Sequence, residues 1–384
     1  MIRQFKCLLM TACALILTIL VFLQFRSQRF ASIRESFNSF NVHDMQNVNL
    51  TAGRLPGPPA NVLNVPDSNS ENPVPPDDVL QKMSHIDLQS FYHSYINSPQ
   101  TTCKRVERMG KITDGGWEHC DDPLYRPLKG DCLVYSYGIS FDFSYDDDMA
   151  AYGCEIHAFD PSMNTAPHLR GDRIYFHSSG VGGKNGTVSL PPKYEEWQLY
   201  TIGSHRRMLQ HAPEQRRVDI VKMDVEGSEL ESLHAALNDG SLSDLRQLAF
   251  ETHVAWGRFD PTRENYITFL GLLRKVYEKG FRIYLTHRNY VYSAFDSLLV
   301  KGKKRVYCHE IHTININIKN SVNADGSVVG DGTVSDDKRK ERHNQQMQLL
   351  SQEQSWYSRR HLDKQPRNQV IPQVQGQPLV RKKV

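Results

Sequence analysis

V-D-I-V-K-M-D-V-E-G-S-E, residues 218–229, is the stretch from which the fold can be predicted. Its first half is a short, mostly apolar and β-branched run, as expected of a strand that is buried on both faces of a parallel sheet. Acidic residues then follow around Gly227, which permits a tight turn. The leucines of L-E-S-L-H-A-A-L (230–237) recur at helical spacing. A strand, an acidic turn and a helix in this order indicate an open α/β sheet with functional side chains at the carboxyl ends of its strands.

A pair of strands earlier in the chain has the spacing of a nucleotide-binding unit. C-L-V-Y-S-Y-G-I (132–139) is a buried-strand pattern that reaches Gly138, and C-E-I-H-A-F-D-P-S (154–162) is a second strand that ends at Asp160. This glycine and this acid are separated by about 20 positions, as are the glycine turn and the ribose-binding acid of such units. Gly138 would let a cofactor approach the backbone, and Asp160 would accept hydrogen bonds from the ribose hydroxyls.

The string D-V-E-G-S-E (224–229) closely resembles the signature of FkbM-type S-adenosylmethionine-dependent methyltransferases. Together with the two strands above and F-E-T-H (250–253), it is similar to the methyltransferase-like protein 24 group of animal proteins. The resemblance covers about residues 100–316 and implies a class I methyltransferase fold that binds S-adenosylmethionine. It says nothing about the acceptor. On composition alone, the acids would also fit a solvated loop at a helix N-terminus.

The remaining elements between residues 86 and 318 complete this plan. They are a third strand with a glycine-rich loop (172–183), a helix (193–211), a fifth strand (245–254), an amphipathic helix (266–277) and a closing antiparallel pair (281–289 and 308–318). The predicted fold is therefore α/β, with a Rossmann-like class I methyltransferase sheet that is mostly parallel and has an antiparallel last strand. His177 and Ser178 end the third strand, where class I enzymes often contact the adenine.

The predicted catalytic residues are His253, Asp224 and Glu251, which should converge with Glu226 at the carboxyl edge of adjacent strands. His253 is the candidate general base because an imidazole titrates near working pH; a histidine that makes a core hydrogen bond is the alternative. Asp224 and Glu226 are also candidate cofactor contacts. Asp224 with Glu251 could instead hold Mg²⁺ or Ca²⁺, but no zinc spacing is present and we expect no metal. Glu229 could simply cap the following helix.

Residues 7–23 are apolar apart from two threonines, and their number is within the range for a membrane span. Because no small-x-small cleavage site follows, residues 1–25 are predicted to be a cytosolic tip and an uncleaved signal anchor; if this segment were cleaved, the protein would be secreted. Positive charge flanks both ends, so the charge rule does not set the orientation. The large body beyond the span favours a type II protein in the Golgi or endoplasmic reticulum lumen.

The segments outside the predicted domain are polar. Residues 26–85 are a proline-rich stem, and residues 319–384 are a basic tail that we expect to be disordered. Asn49 in the stem and Asn185 in the domain begin N-glycosylation sequons. The net charge of +3 is too small to argue for nucleic acid. A hydroxylated small molecule or a glycan is the expected acceptor.

The cysteines fit an oxidising compartment without fixing their pairing. Of seven in the chain, Cys103 and Cys120 bracket a short loop that a disulfide could close, although separate buried thiols remain possible.

Two other functions stay open. Asp146 and Asp148 form a D-x-D string of the kind that binds a metal and a nucleotide-sugar in Golgi glycosyltransferases; acids at a helix start are the plainer explanation. A non-catalytic binding protein with a methyltransferase fold is the other possibility, because Gly138 is a lone glycine in its motif. Binding of S-adenosylmethionine, of a metal with a nucleotide-sugar, or of neither would separate the three.

Overall fold

The computed structural model describes residues 72–190, 195–255, 259–289 and 293–362. Its helices are α1 (Asp77–Leu80), α2 (His85–Ile96), α3 (Ser144–Tyr152), α4 (Ile202–Met208), α5 (Glu229–Asp239), α6 (Arg263–Glu278) and α7 (Asp336–Leu362). Its strands are β1 (Val106–Met109), β2 (Trp117–Cys120), β3 (Leu133–Tyr137), β4 (Glu155–Phe159), β5 (His168–Arg170), β6 (Ile174–His177), β7 (Gly180–Val181), β8 (Gly186–Leu190), β9 (Glu195–Tyr200), β10 (Ile220–Met223), β11 (Gln247–His253), β12 (Phe281–Arg288), β13 (Ala294–Asp296), β14 (Lys304–Val306) and β15 (Cys308–Asn315).

Eight of these strands form one sheet in the order β12-β15-β11-β10-β3-β4-β6-β5. The five from β11 to β6 in this order are parallel, whereas β15 is antiparallel to both of its neighbours and β5 is an antiparallel edge. The chain first extends from β3 toward β6 and later returns to add β10 on the other side of β3. Open α/β sheets bind ligands at such a switch point. The Rossmann-like sheet with an antiparallel last strand is confirmed.

Packing follows from the sequence patterns. All four residues of β10 are buried, as a strand covered on both faces must be. Leu233 and Leu237 of α5 and Leu270 of α6 are buried in one core cluster. α6 begins at Thr262, whose side chain forms a capping box with Asn265. This box satisfies backbone donors that would otherwise be unpaired at the helix start.

The hairpin of β1 and β2 joins the main sheet through Gln247 on β11. The Gln247 side chain accepts from the Cys120 N–H at 2.8 Å and donates to the Cys120 carbonyl at 2.7 Å. A disulfide between Cys103 and Cys120, one of the two possibilities left by the sequence, ties down the same segment. The hairpin therefore holds its buried residue Glu118 in a fixed position near β15.

A second disulfide, which the sequence did not suggest, joins Cys132 and Cys154 immediately before β3 and β4. It closes a loop with a sequence separation of 22. We expect the double replacement Cys132→Ser, Cys154→Ser to lower the free energy of unfolding by about 3 kcal/mol, because the unfolded chain gains freedom. Urea denaturation of oxidised protein measures this. An unchanged urea midpoint would contradict this expectation. As a control, adding a reductant should lower the free energy of unfolding less in the double variant than in the wild type, because the variant has one disulfide fewer to lose.

The structure differs from expectation between residues 193 and 211. In place of one helix it has β9, which pairs antiparallel with β8, followed by the short helix α4. Trp197, Gln198 and Leu199 are strand residues here, and the helix begins only after the N-cap residue Thr201, whose side chain accepts from Ser204 N–H. Pairing with β8 outweighs the local helical pattern, as tertiary context commonly does.

The segments predicted to lie outside the domain contribute to it. Residues 319–384 were expected to be disordered, but α7 lies within them: it contains no glycine or proline, and its Leu350 is buried. The predicted stem also ends early, because Val74 and Leu80 are buried and Arg274 of α6 donates to the Pro75 carbonyl. Composition does not predict either segment's structure, because packing against the domain is what orders them.

Residues 7–23, the stem up to residue 71, Asn49 and residues 363–384 lie outside the described residues. Among those described, no helix combines the length and the apolar character that crossing a membrane requires.

Candidate active site

The switch point of the sheet lies between Gly138, after β3, and Asp224, after β10. Gly138 has φ +79°, and a Cβ at this position would lie 1.6 Å from the Asp224 carbonyl oxygen. The Asp224 N–H donates to the Tyr137 carbonyl at 3.0 Å, so the two strand ends touch. Oδ1 of Asp224 is buried and has no hydrogen-bond partner among the described residues. A glycine is thus required at position 138. The close approach of the two strand ends places the unsatisfied Oδ1 of Asp224 at the switch point.

Asp160 lies at the end of β4, as predicted, but its carboxylate is engaged by the protein. Oδ2 accepts from the N–H groups of Ile139 and Ser140, both at 2.8 Å. Oδ1 accepts from the Ser162 N–H at 2.8 Å and from its hydroxyl at 2.6 Å. Because a carboxylate has about four acceptor positions, a ribose contact would have to replace one of these bonds. The structure gives Asp160 the task of holding the loop after β3.

That loop has an unusual backbone. Ser140 and Phe141 have φ values of +46° and +67°, a region that residues other than glycine seldom adopt. Phe141 is 68% exposed although it is a large apolar side chain. Strained, exposed loops of this kind are commonly found where ligands bind.

His177 and Ser178, the predicted adenine contacts, lie under α7. The Nδ1 atom of His177 is 2.6 Å from Oε2 of Glu353 on α7, and its Nε2 is 2.9 Å from Nδ1 of the neighbouring His157. Ser178 hydrogen-bonds to Tyr357, also on α7. Both ring nitrogens of His177 are therefore engaged, and an adenine contact by this residue stays a prediction.

The structure brings Asp224, Glu226 and Glu251 together around His253. Nε2 of this imidazole is 3.1 Å from Oε2 of Glu251 and 3.3 Å from Oε2 of Glu226, while its Nδ1 is 3.2 Å from Oε1 of Glu229. Glu229 also accepts from the N–H groups of the acidic turn, at Val225 and Gly227, both at 2.8 Å. It therefore shapes the turn before α5, in addition to pairing with His253.

The charges in this cluster change which residue suits general base catalysis. Burial lowers the pKa of His253, but hydrogen bonds to Cys308, Glu229 and Glu251 outweigh it and raise that pKa well above the usual value. Burial raises the pKa of Glu251 to about 7, with the Asp224 charge adding to the effect and the His253 hydrogen bond opposing it. The proton is held on His253, so Glu251 has the pKa that a base needs near neutrality.

The D-x-D string does not form a comparable site. Asp146 is buried in α3, and burial raises its pKa to about 6. Asp148 accepts from the Gly110 N–H at 2.7 Å, while Asp147 between them pairs with Arg170 at 2.7 Å. None of the clusters of metal-ligand residues within the described ranges includes any of the three.

Sequence reasoning missed a neighbouring group of polar residues on β2 and β15. Cys308, Glu310 and His312 alternate along β15 and lie on the face that Glu251 and His253 share, since Glu251 pairs with Glu310 and His253 with Cys308. The alternation in C-H-E-I-H was a usable signal. No signal in the sequence showed that β15 lies close to Glu118 of β2, because that contact depends on how the hairpin packs.

These features define a class I methyltransferase sheet with an acidic site at its switch point, and comparison with known proteins agrees. A family model described as a methyltransferase domain matches residues 66–295, and the chain belongs to this family. Two relatives named "Probable methyltransferase-like protein 24" confirm the predicted resemblance. The rat protein is 26% identical over 213 residues, which are 52% of this chain and 58% of the rat protein. The human protein is 24% identical over 231 residues, 53% of this chain and 62% of its own length. The chain spans about six tenths of the length of these relatives.

Among solved structures, Sp1610 of Streptococcus pneumoniae in complex with S-adenosyl-L-methionine covers 60% of this chain and 92% of its own, with 11% identity and a TM-score of 0.27. An NADB-Rossmann superfamily protein of Streptococcus agalactiae has the same coverage, 12% identity and a TM-score of 0.24. It is the strand order of the main sheet that establishes the fold.

Proposed function

We propose that this protein is an S-adenosylmethionine-dependent methyltransferase that methylates a hydroxyl group of a glycan or small acceptor in the secretory pathway. The observation that carries the proposal is the unsatisfied Oδ1 of Asp224 beside Gly138, at the switch point of a methyltransferase-family sheet. S-adenosylmethionine bears an ammonium and a sulfonium, so an acidic strand edge with an unpaired carboxylate oxygen fits it. When bound, it would supply the methyl group as a sulfonium substituent.

The residues of this chain divide the remaining work. Gly138 lets the end of β3 approach the Asp224 backbone, and Asp160 fixes the neighbouring loop through Ile139 and Ser140. Asp224 would bind the ammonium. For methyl transfer to an acceptor oxygen, the hydroxyl proton would have to pass to a base of this chain. Glu251 would accept that proton, and the positively charged His253 would orient it.

Two features support a secretory location. Both disulfides of the described region, Cys103–Cys120 and Cys132–Cys154, are typical of oxidising compartments. Asn185 is exposed, so its sequon is accessible to glycosylation. With residues 7–23 as a signal anchor, the proposed protein is a type II membrane protein of the Golgi or endoplasmic reticulum.

Calorimetric titration of the full-length chain with S-adenosylmethionine tests the cofactor. We expect binding that weakens about 10- to 100-fold in Asp224→Asn, because a hydrogen bond to a charged group contributes about 1.5–3 kcal/mol. Asp78→Asn removes an exposed acid of α1 and should leave the affinity unchanged. A folded wild type that takes up no cofactor would refute the proposed activity. Equal affinities for the wild type and Asp224→Asn would refute the role of this carboxylate.

A further inference from the structure

A second group of ligand-type side chains lies beside the candidate active site, where the β1–β2 hairpin meets the main sheet. It consists of Glu118 on β2 with Glu310 and His312 on β15. One potential ligand atom from each of the three lies within 4.8 Å of the other two, and all three residues are buried. We propose that these residues form a Zn²⁺ site, separate from the site of methyl transfer.

Glu118 shows the need for a cation. Its side chain is only 8% exposed. Oε1 is paired with Nη1 of Arg108 at 2.6 Å, but Oε2 has no hydrogen-bond partner among the described residues and points toward Nε2 of His312, 3.3 Å away. Oε2 of Glu310 also lacks a hydrogen bond there. Leaving buried carboxylate oxygens unsatisfied is unfavourable, and a metal ion between them would remove that cost.

The surrounding charge is negative. Glu310 lies directly opposite Glu251 in the register of β11 and β15, so the cluster adjoins the acids of the candidate active site. Arg108 is the permanent cation that contacts the cluster, and it reaches Glu118 alone of the three residues. Two ionised glutamates and Arg108 leave a net negative charge, which a divalent ion would offset without disturbing the Arg108 pair.

The donor set favours zinc over a harder cation. His287 of β12 is 39% exposed at its side chain and lies at the edge of the cluster, with Nε2 3.4 Å from Oε1 of Glu118 and Nδ1 3.6 Å from Oε2 of Glu310. Two carboxylates and one or two imidazoles are ligands that Zn²⁺ takes in four-coordinate sites. Mg²⁺ and Ca²⁺ prefer oxygen ligands throughout. His312 Nε2 now accepts from the Glu118 N–H at 3.3 Å, a long contact that a metal bond would replace.

Other clusters of the described region are weaker candidates. In the group of Glu155, His157 and His211, both ring nitrogens of each histidine already have hydrogen-bond partners. The group of Glu251, His253 and Cys308 belongs to the candidate active site, where His253 already pairs with three carboxylates. This group is the main alternative metal site, and it differs from the proposed site because it contains the thiol of Cys308.

Metal titration tests the proposal without the cofactor, so its outcome is independent of methyltransferase activity. Full-length protein freed of metal by a chelator is titrated with ZnCl₂ in a calorimeter. We expect one Zn²⁺ per chain and a loss of affinity of at least about 100-fold in Glu118→Gln and His312→Gln, more than the loss of an outer-shell partner causes. Glu107→Gln is the matched control: it changes an exposed acid of β1 that is not part of the cluster, so this variant should bind Zn²⁺ like the wild type. Absence of Zn²⁺ binding by folded wild type would overturn the proposal.

Cobalt substitution of the wild type gives an answer even if the variants fail to fold. Co²⁺ at the proposed site should show the visible bands of a four-coordinate ion with oxygen and nitrogen ligands only. A sulfur-to-cobalt charge-transfer band in the near ultraviolet would place the metal at Cys308 and overturn the assignment to Glu118, Glu310 and His312. Retention of full Zn²⁺ affinity by folded Glu118→Gln and His312→Gln would do the same.

Discussion

Gly138→Ala is expected to destabilise the fold by more than about 4 kcal/mol, enough to prevent accumulation of soluble protein. A Cβ at Gly138 would lie 1.6 Å from the backbone oxygen of Asp224, which is held by the pairing of β3 and β10. The φ of +79° adds about 1–2 kcal/mol for any side chain. The clash is with backbone, so no rotamer change relieves it. Soluble yield and the urea midpoint measure the effect.

Gly171→Ala is the matched control. Gly171 also has a positive φ, +59°, but a Cβ there would meet nothing within 4 Å. This variant should therefore lose only the conformational term of about 1–2 kcal/mol. Equal midpoints for the two variants would contradict the close approach of β3 to Asp224.

Acidification is expected to destabilise the protein strongly between about pH 6.5 and pH 4. His157, His205 and His211 are buried on the face of the sheet where His157 stacks on His177 with ring centroids 5.1 Å apart. Burial lowers the pKa of His157 to about 4 and holds the pKa values of His205 and His211 well below the usual value. These imidazoles stay neutral in the folded protein while the unfolded chain takes up protons. Stability is therefore complete above the unfolded pKa and falls as pH decreases.

Each such histidine contributes a slope of about 1.4 kcal/mol per pH unit in this window. Urea denaturation at several pH values measures the total, and His205→Gln should reduce the slope by about one histidine's share. Tyr137→Phe removes the hydroxyl that lies 3.2 Å from Nδ1 of His205 but leaves the imidazole in place. It should lower stability equally at every pH. A slope unchanged in His205→Gln would show that this imidazole is not kept neutral.

The sequence predicted the sheet well because its strands are buried on both faces and are separated by recognisable turns. The acidic turn at 224–229, the strand ending at Asp160 and the closing pair of β12 and β15 lie where expected, because short-range patterns determine them. The failures involve tertiary packing. Residues 195–200 form a strand because β8 is available to pair with them, and α7 is ordered by contacts with β5 and β6.

The candidate site was predicted only in part for a related reason. That Asp224, Glu251 and His253 meet follows from parallel strands ending at one edge. Sequence spacing does not reveal the directions of side chains. It therefore could not show that Asp160 turns toward the loop after β3 or that three carboxylates surround His253. In the proposed function, Glu251 accordingly takes the role of general base that the sequence suggests for His253.

The position of α7 determines how the protein can be shortened. A truncated form that ends before residue 336 would lose the Glu353 partner of His177 and the His343 partner of Tyr175, whose hydroxyl is 2.7 Å from Nδ1 of that histidine. It would also uncover Tyr175 and His177 of β6 and leave this surface available for aggregation. The terminal segment that looks most dispensable in the sequence is therefore one that a recombinant form must keep if this surface is to stay covered.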